Sequence, residues 1–185
     1  MNIVPLVYVK DGKLLDGKNG KQVSIEDLFE RIEKDTMLYV LDLDGIEHNN
    51  PSLDLYQKLT EHCILWIDDG PRRLDDVMDT IMAGATNITL RNDLWPEMDF
   101  PGVQELTDDE IFIAMSVQQN EQRRSLSSFS QDVGIVLFND AFENTTFSKD
   151  VLIEHKLYLY SQSLDKVPIW NEQGIAGILI DLNKK

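Results

Sequence analysis

Apolar residues in this chain fall in short runs separated by polar stretches, and the runs recur along its whole length. They occupy residues 3–9, 37–43, 63–67, 87–91, 111–115, 133–138, 157–160 and 176–181. Each is rich in Val, Ile, Leu or aromatic residues and gives way to polar or turn residues, as a β-strand does. Their near-continuous apolarity predicts strands covered on both faces, as in a parallel sheet with helices outside. Helical patterns lie between several runs. Ser24 precedes a segment in which Ile25, Leu28, Phe29 and Ile32 share one face, with Glu26 and Asp27 in the first turn. Residues 51–61 place Leu53, Leu55, Tyr56 and Leu59 on one side. Pro71 opens a third helix, with Leu74, Val77, Met78 and Ile81 turned inward and Gly84 just past its end.

The second half has weaker helical signals. Residues 93–109 contain Pro96, Pro101 and Gly102, which argues against a normal fourth helix. Residues 118–130 are polar and fit a helix or a loop. Only four residues follow Asp181, so no eighth outer helix is expected. Eight strands with reduced helices predict one domain over residues 1–185, a small (β/α)8 TIM barrel; the alternative is an open parallel α/β sheet. A faint repeat supports the barrel: residues 38–45 and 84–90 resemble residues 133–140 and 174–180, as two fused half-barrels would.

Charge narrows the partners. The chain carries 33 acidic and 17 basic residues, a net charge of -16. Such a surface repels nucleic-acid phosphates and anionic lipid, so neither nucleic acid nor membrane is an expected partner. The single cysteine, Cys63, allows no intramolecular disulfide and no cysteine-based metal site, and reads as a small core residue. That usage suits a reducing, cytoplasmic setting. Residues 1–5 read as the start of a strand, not a signal peptide, and no apolar run reaches the roughly 18 residues of a membrane span.

Several motifs in order resemble the HisA/HisF family of histidine biosynthesis, the sugar-phosphate isomerase and its cyclase relative. Residues 4–12 (VPLVYVKDG) resemble the family's first strand and its turn. Residues 39–45 (YVLDLDG) resemble the second-strand Asp-Leu-Asp signature, with Asn49 or Asn50 near the usual Asn. Residues 67–72 (IDDGPR) take the place of the glycine-rich loop after the third strand, and residues 76–85 that of the third helix and its exit. Residues 174–181 (GIAGILID) resemble the last strand. The third-strand run Leu65–Gly70 also resembles a branch of the family associated with archaeal-type one-carbon cofactor biosynthesis. The resemblance covers most of residues 1–95 and the final ten or so.

The departures concern chemistry. The resemblance implies an acid and a base, carboxylates ending the first and fifth strands, where this chain has Tyr8 and Ser116. It also implies glycine amides that hold phosphate after strands three, four, seven and eight. Here those places hold Asp68 and Asp69, then Arg91 and Asn92, then residues 161–163 (SQS), and finally Asp181. A carboxylate about 5 Å from a phosphate oxygen repels it by ~3 kcal/mol per charge pair at an effective dielectric of 20.

Strand C-termini converge at one mouth of a barrel, so end-of-strand polar residues are expected to meet there. Asp42, Asp44, Asp69, Arg72 and Arg91 are the ligand-pocket candidates, with Asp68, Asn92, Ser116, Asn139, Asp140, Ser161 and Asp181 nearby. Strand alternation puts Asp42 and Asp44 on the same side. One reading is an acidic pocket for a small cation, amine or metal-bound ligand, in which carboxylates would suit Mg²⁺ or Ca²⁺ better than zinc. The plainer reading pairs these carboxylates with Arg72, Arg73, Arg91 and backbone amides. His48, His62 and His155 show no metal spacing, so no metal or cofactor is assigned and no catalytic residue is named. Two functional classes compete: an enzyme, either a divergent one acting on an unidentified small molecule or, as the resemblance implies, the phosphoribosyl aminoimidazole carboxamide isomerase of histidine biosynthesis, and a catalytically inactive binding or assembly protein. Finally, a barrel lacking a helix after strands four and eight would leave Ile3, Val7, Ile175 and Ile178 bare, which predicts a homodimer, or docking to another protein, on the strand-eight to strand-one side. The competing expectation is that residues 10–23 fold back over that side.

Overall fold

The computed structural model describes residues 1–115, 133–138 and 149–184. Eight parallel strands close on themselves: β1 (Asn2–Lys10), β3 (Thr36–Asp42), β4 (Cys63–Asp68), β5 (Ala85–Arg91), β6 (Ile111–Met115), β7 (Gly134–Leu137), β8 (Leu157–Ser161) and β9 (Gly177–Asp181). The pairing of β1 with β9, with Ile3 opposite Ile178 and Pro5 opposite Ile180, closes the barrel and excludes the open sheet. A short strand β2 (Lys13–Leu15) folds back antiparallel on β1. Seven helices are described: α1 (Ile25–Arg31), α2 (Leu43–His48), α3 (Leu53–Leu59), α4 (Leu74–Met82), α5 (Phe100–Leu106), α6 (Lys149–Glu154) and α7 (Val167–Gln173). After β9 comes a single 3-10 turn, Leu182–Lys184. None of the described helices is long and apolar enough to cross a membrane.

The continuous apolarity of the strands has two uses. One phase points into the barrel, where Leu6, Tyr39, Trp66, Phe112, Val136, Tyr158 and Leu179 pack together. The other phase, including Val7, Val9, Leu38, Val40, Leu65 and Ile67, packs under the helices against Leu28, Tyr56, Leu59 and Val77. The interior is aromatic. Trp66 lies 4.0 Å from Phe112 and 4.8 Å from Tyr158 between ring centres, the latter edge to face. Rings this large need room at the strands opposite them, and glycine supplies it. A Cβ on Gly134 would stand 2.2 Å from the Phe112 ring, and one on Gly177 2.4 Å from the Tyr158 ring.

Several expectations need correction. The proline-bearing segment does form a helix: Asp99 caps α5 through the Gly102 N–H at 3.1 Å, and Pro101 sits in the first turn, where a missing N–H costs nothing. Met78 is 42% exposed, so α4 turns it outward. The predicted bare side is covered. Val7, Ile175 and Ile178 are buried, and only Ile3 is exposed, at 43%. Leu14 and Val23, from the segment that folds back, join Leu182 in the layer over Val7 and Val9. Trp170 of α7 and Ile175 pack with Ile178 of β9. The sequence also missed α2, which begins at Leu43 where the second strand was expected to continue.

Candidate functional site

The chain turns its acidic residues at the strand ends into structure before it offers them to anything else. Asp42 ends β3 facing outward. Its Oδ1 accepts the N–H groups of Asp44 at 3.0 Å and Gly45 at 3.1 Å, capping α2. Its Oδ2 accepts the Ser52 N–H at 2.7 Å and the Tyr56 hydroxyl at 2.5 Å. Asp44 lies in α2, not on the strand, so the expected shared side for Asp42 and Asp44 does not exist. Asp44 accepts the N–H groups of Asp11 and Gly12, each at 2.8 Å, fixing the turn after β1. Arg72 lies outside the barrel as well. It donates to the carbonyls of Gly45, Ile46 and Gly70 and to the Asn49 side chain at 2.8–3.1 Å, tying the end of α2 to the loop after β4.

Asp68 and Asp69 are consecutive, so strand alternation sends them to opposite faces. Asp69 points outward and is buried among the helices. Its Oδ2 accepts the Thr80 hydroxyl at 2.7 Å and lies 3.5 Å from the Tyr56 hydroxyl, while its Oδ1 is buried without a hydrogen-bond partner. Burial pushes its carboxyl up to about 7, and the charges of Asp42 and Asp68 act in the same direction. Asp68 points into the barrel. It holds Arg91 through two parallel bonds, Nε to Oδ1 at 2.8 Å and Nη2 to Oδ2 at 2.6 Å. The Tyr39 hydroxyl donates to Asp68 Oδ2 at 2.8 Å. Having given its only proton there, Tyr39 accepts from the Thr89 hydroxyl at 3.1 Å, and Thr89 in turn accepts the Trp66 indole N–H at 2.8 Å. Burial alone would lower the pKa of Arg91, but the Asp68 charge and hydrogen bonds more than offset this and hold the guanidinium protonated.

Of the five candidates, then, only Arg91 reaches the interior of the mouth; Asp42, Asp44, Asp69 and Arg72 build the frame around it. The mouth contains residues that the sequence reading passed over. Phe138 lies beneath Arg91, whose guanidinium carbon is 5.5 Å from the ring centre. Tyr160 lies beside Phe138 at 5.9 Å, with the rings inclined by only 31°. Tyr8 is 3.4 Å from Tyr160, hydroxyl to hydroxyl, and the Tyr160 hydroxyl donates to Asp181 Oδ1 at 3.2 Å. Asp181 Oδ2 accepts the Lys18 N–H at 3.2 Å. Burial pushes the Tyr8 phenol well above its ordinary range, with the Tyr160 hydrogen bond and the Asp181 charge adding to it, so Tyr8 stays protonated. Ser116, Asn139 and Asp140 lie outside the described residues, as does the 118–130 segment. Counting the strand phase from the core residues would have found Phe138 and Tyr160, because they share the inward phase of Val136 and Tyr158.

Other places offer less. A cavity of about 430 Å³ opens at the opposite, N-terminal end of the barrel, lined in part by Phe112, Gly134 and Ala176. Three of its polar side chains are already engaged: Glu110 with Lys156, and His155 Nδ1 with the Val133 carbonyl. Burial pushes the Cys63 thiol up to about 11, which leaves it a poor nucleophile. Among the described residues no group of three or more His, Cys, Asp or Glu is placed to hold a metal ion.

No protein-family model matches the chain, and no curated protein matches it in sequence. Among solved structures it is similar to the 3-hexulose-6-phosphate synthase from Salmonella typhimurium, with a TM-score of 0.58 over 97% of this chain and 88% of that one, at 10% identity. At that identity the likeness concerns the fold alone, and it agrees with the closed strand order: the chain is a (β/α)8 TIM barrel.

Proposed function

We propose that this chain is a divergent relative of the HisA/HisF barrels, an enzyme that acts on a small unphosphorylated polar molecule at the mouth formed by the strand C-termini. One observation carries the reading: Asp68 and Asp181, in places where the resemblance implies phosphate-holding glycines, each direct a carboxylate into the mouth. Asp181 also holds the Lys18 amide. A phosphate arriving there meets fixed negative charge in place of free N–H groups. Among the described residues the chemistry left in the mouth is hydrogen bonding by phenols and proton uptake by a carboxylate. Tyr8, in the place where the resemblance implies a carboxylate, is a protonated phenol that can hydrogen-bond a substrate oxygen in exchange for the Tyr160 hydroxyl. Tyr160 links it to Asp181, which can take a proton from the substrate. A catalytically inactive binding protein is the second reading, favoured by the closed Asp68–Arg91–Tyr39 arrangement, which spends the strongest charges of the mouth on one another.

The test is calorimetric titration with the phosphoribosyl substrate of the isomerase at physiological salt, paired with complementation of a strain lacking that isomerase. The expected result is no binding at micromolar concentration and no growth. Micromolar affinity, or growth, would overturn the proposal.

A further inference from the structure

We infer that the ligand of this mouth is an amine–carboxylate whose two charges are held apart by a flat apolar middle: the carboxylate on Arg91, the ammonium on Asp181, and the middle on Phe138. The inference rests on the reading of the mouth as the site of an unphosphorylated molecule, and it names that molecule's class. Asp68 uses the Nε–Nη2 edge of Arg91. Among the described residues nothing pairs with Nη1, so the Nη1–Nη2 edge retains donors in the fork that fits a carboxylate. The Arg91 side chain is 19% exposed, so part of it is open to solvent. The carboxylate of Asp181 receives one hydroxyl and one amide hydrogen bond. A carboxylate has about four lone-pair sites, so Asp181, although only 6% exposed, retains sites for a further donor.

The strand order separates these two groups. Counted either way round the barrel, β5, which carries Arg91, and β9, which carries Asp181, are four strands apart and thus on opposite walls. A ligand that spans from one wall to the other is expected to carry its amine and carboxylate on different carbons. Among the described residues the wall between them on one side is Phe138 and Tyr160, whose rings lie 5.9 Å apart and are inclined by 31°. That surface suits a flat apolar group better than a hydroxylated sugar. The ligand's two charges would also answer the mouth's own pattern, one net negative group at Asp181 and one guanidinium with an open edge.

The probe is 4-(aminomethyl)benzoate, compared by calorimetry with benzylamine, 4-methylbenzoate and glycine on the full chain. Saturable one-to-one binding of the first is expected, with each of the other three about tenfold weaker or more. Asp181→Asn should weaken 4-(aminomethyl)benzoate about tenfold and leave 4-methylbenzoate unchanged; Arg91→Lys should weaken it and leave benzylamine unchanged. The ligand deletions on the unaltered chain decide the matter even where a variant fails to fold. Equal binding of benzylamine, 4-methylbenzoate or glycine overturns the inference, as does no binding of any of the four at millimolar concentration. In that last case the proposed function still stands provided the phosphoribosyl compound does not bind, whereas binding of that compound ends both.

Discussion

At the scale of single residues, Asp69 is the group most out of place. It is buried, one of its oxygens lacks a partner, and its carboxyl is pushed up to about 7. An unfolded aspartate ionises near 3.9. Between about pH 4 and 7 the unfolded chain therefore loses a proton that the folded chain keeps, and folding becomes less favourable as pH rises. The stabilising contribution of the neutral acid is complete below about pH 4 and is lost as pH climbs through 7, at a limit of about 4 kcal/mol. Asparagine mimics the neutral acid and cannot ionise. Asp69→Asn should thus raise stability at pH 8 by about 1–3 kcal/mol, with a smaller effect at pH 5. Urea unfolding at the two pH values checks this. A wild-type-to-variant difference that is the same at pH 5 and pH 8 would show that Asp69 is ionised in the fold at both.

At the scale of elements, the hydrophobic runs were the legible part. All eight barrel strands lie within a residue or two of their runs, because strands buried on two faces must be apolar nearly throughout. Ser24 caps α1 as its position implied, through the Asp27 N–H at 3.0 Å. What the runs concealed was phase. With both faces apolar, alternation gives no label for inside and outside, and so Asp42 and Asp69 were expected in the mouth when they face the helices. Short elements were concealed too: α2 has six residues, less than two turns, and its apolar start continued the run of β3. Glycines in the strands were a readable clue to the interior. Gly134 faces the Phe112 ring, and a methyl there leaves no space without moving the ring or the strand. Gly134→Ala should cost about 1–3 kcal/mol by overpacking. Shrinking the opposing residue in Gly134→Ala/Phe112→Leu should recover part of that loss, measured as a positive coupling in a double-mutant cycle. Simple additivity of the two changes would mean that Gly134 and Phe112 do not constrain each other.

At the scale of the whole molecule, the net charge of -16 has a structural side. Asp16, Asp42, Asp44, Asp76, Asp99 and Asp181 each hold at least one backbone N–H of the chain. Aspartates thus fix turns and helix starts around the C-terminal end of the barrel, which is why acidic residues gather there without forming one pocket. The same closure bears on association. The sequence argument for a dimer required bare β1 and β9, yet Val7, Ile175 and Ile178 are buried; of the four residues it named Ile3 alone is exposed, with Met1 and Ile169 of α7 also exposed nearby. Three of the four residues that had to be bare are covered, which removes most of the contiguous apolar surface that would mark an interaction site. The remaining surface carries like charge, and self-association would bring it together against repulsion that salt only partly screens. Sedimentation at micromolar concentration and physiological salt should therefore show one species of 21.2 kDa. A species of twice that mass, dissociated by Ile3→Ser, would show that this edge of the barrel does pair with a second copy and that its covering by β2 and α7 is not what keeps the chain single.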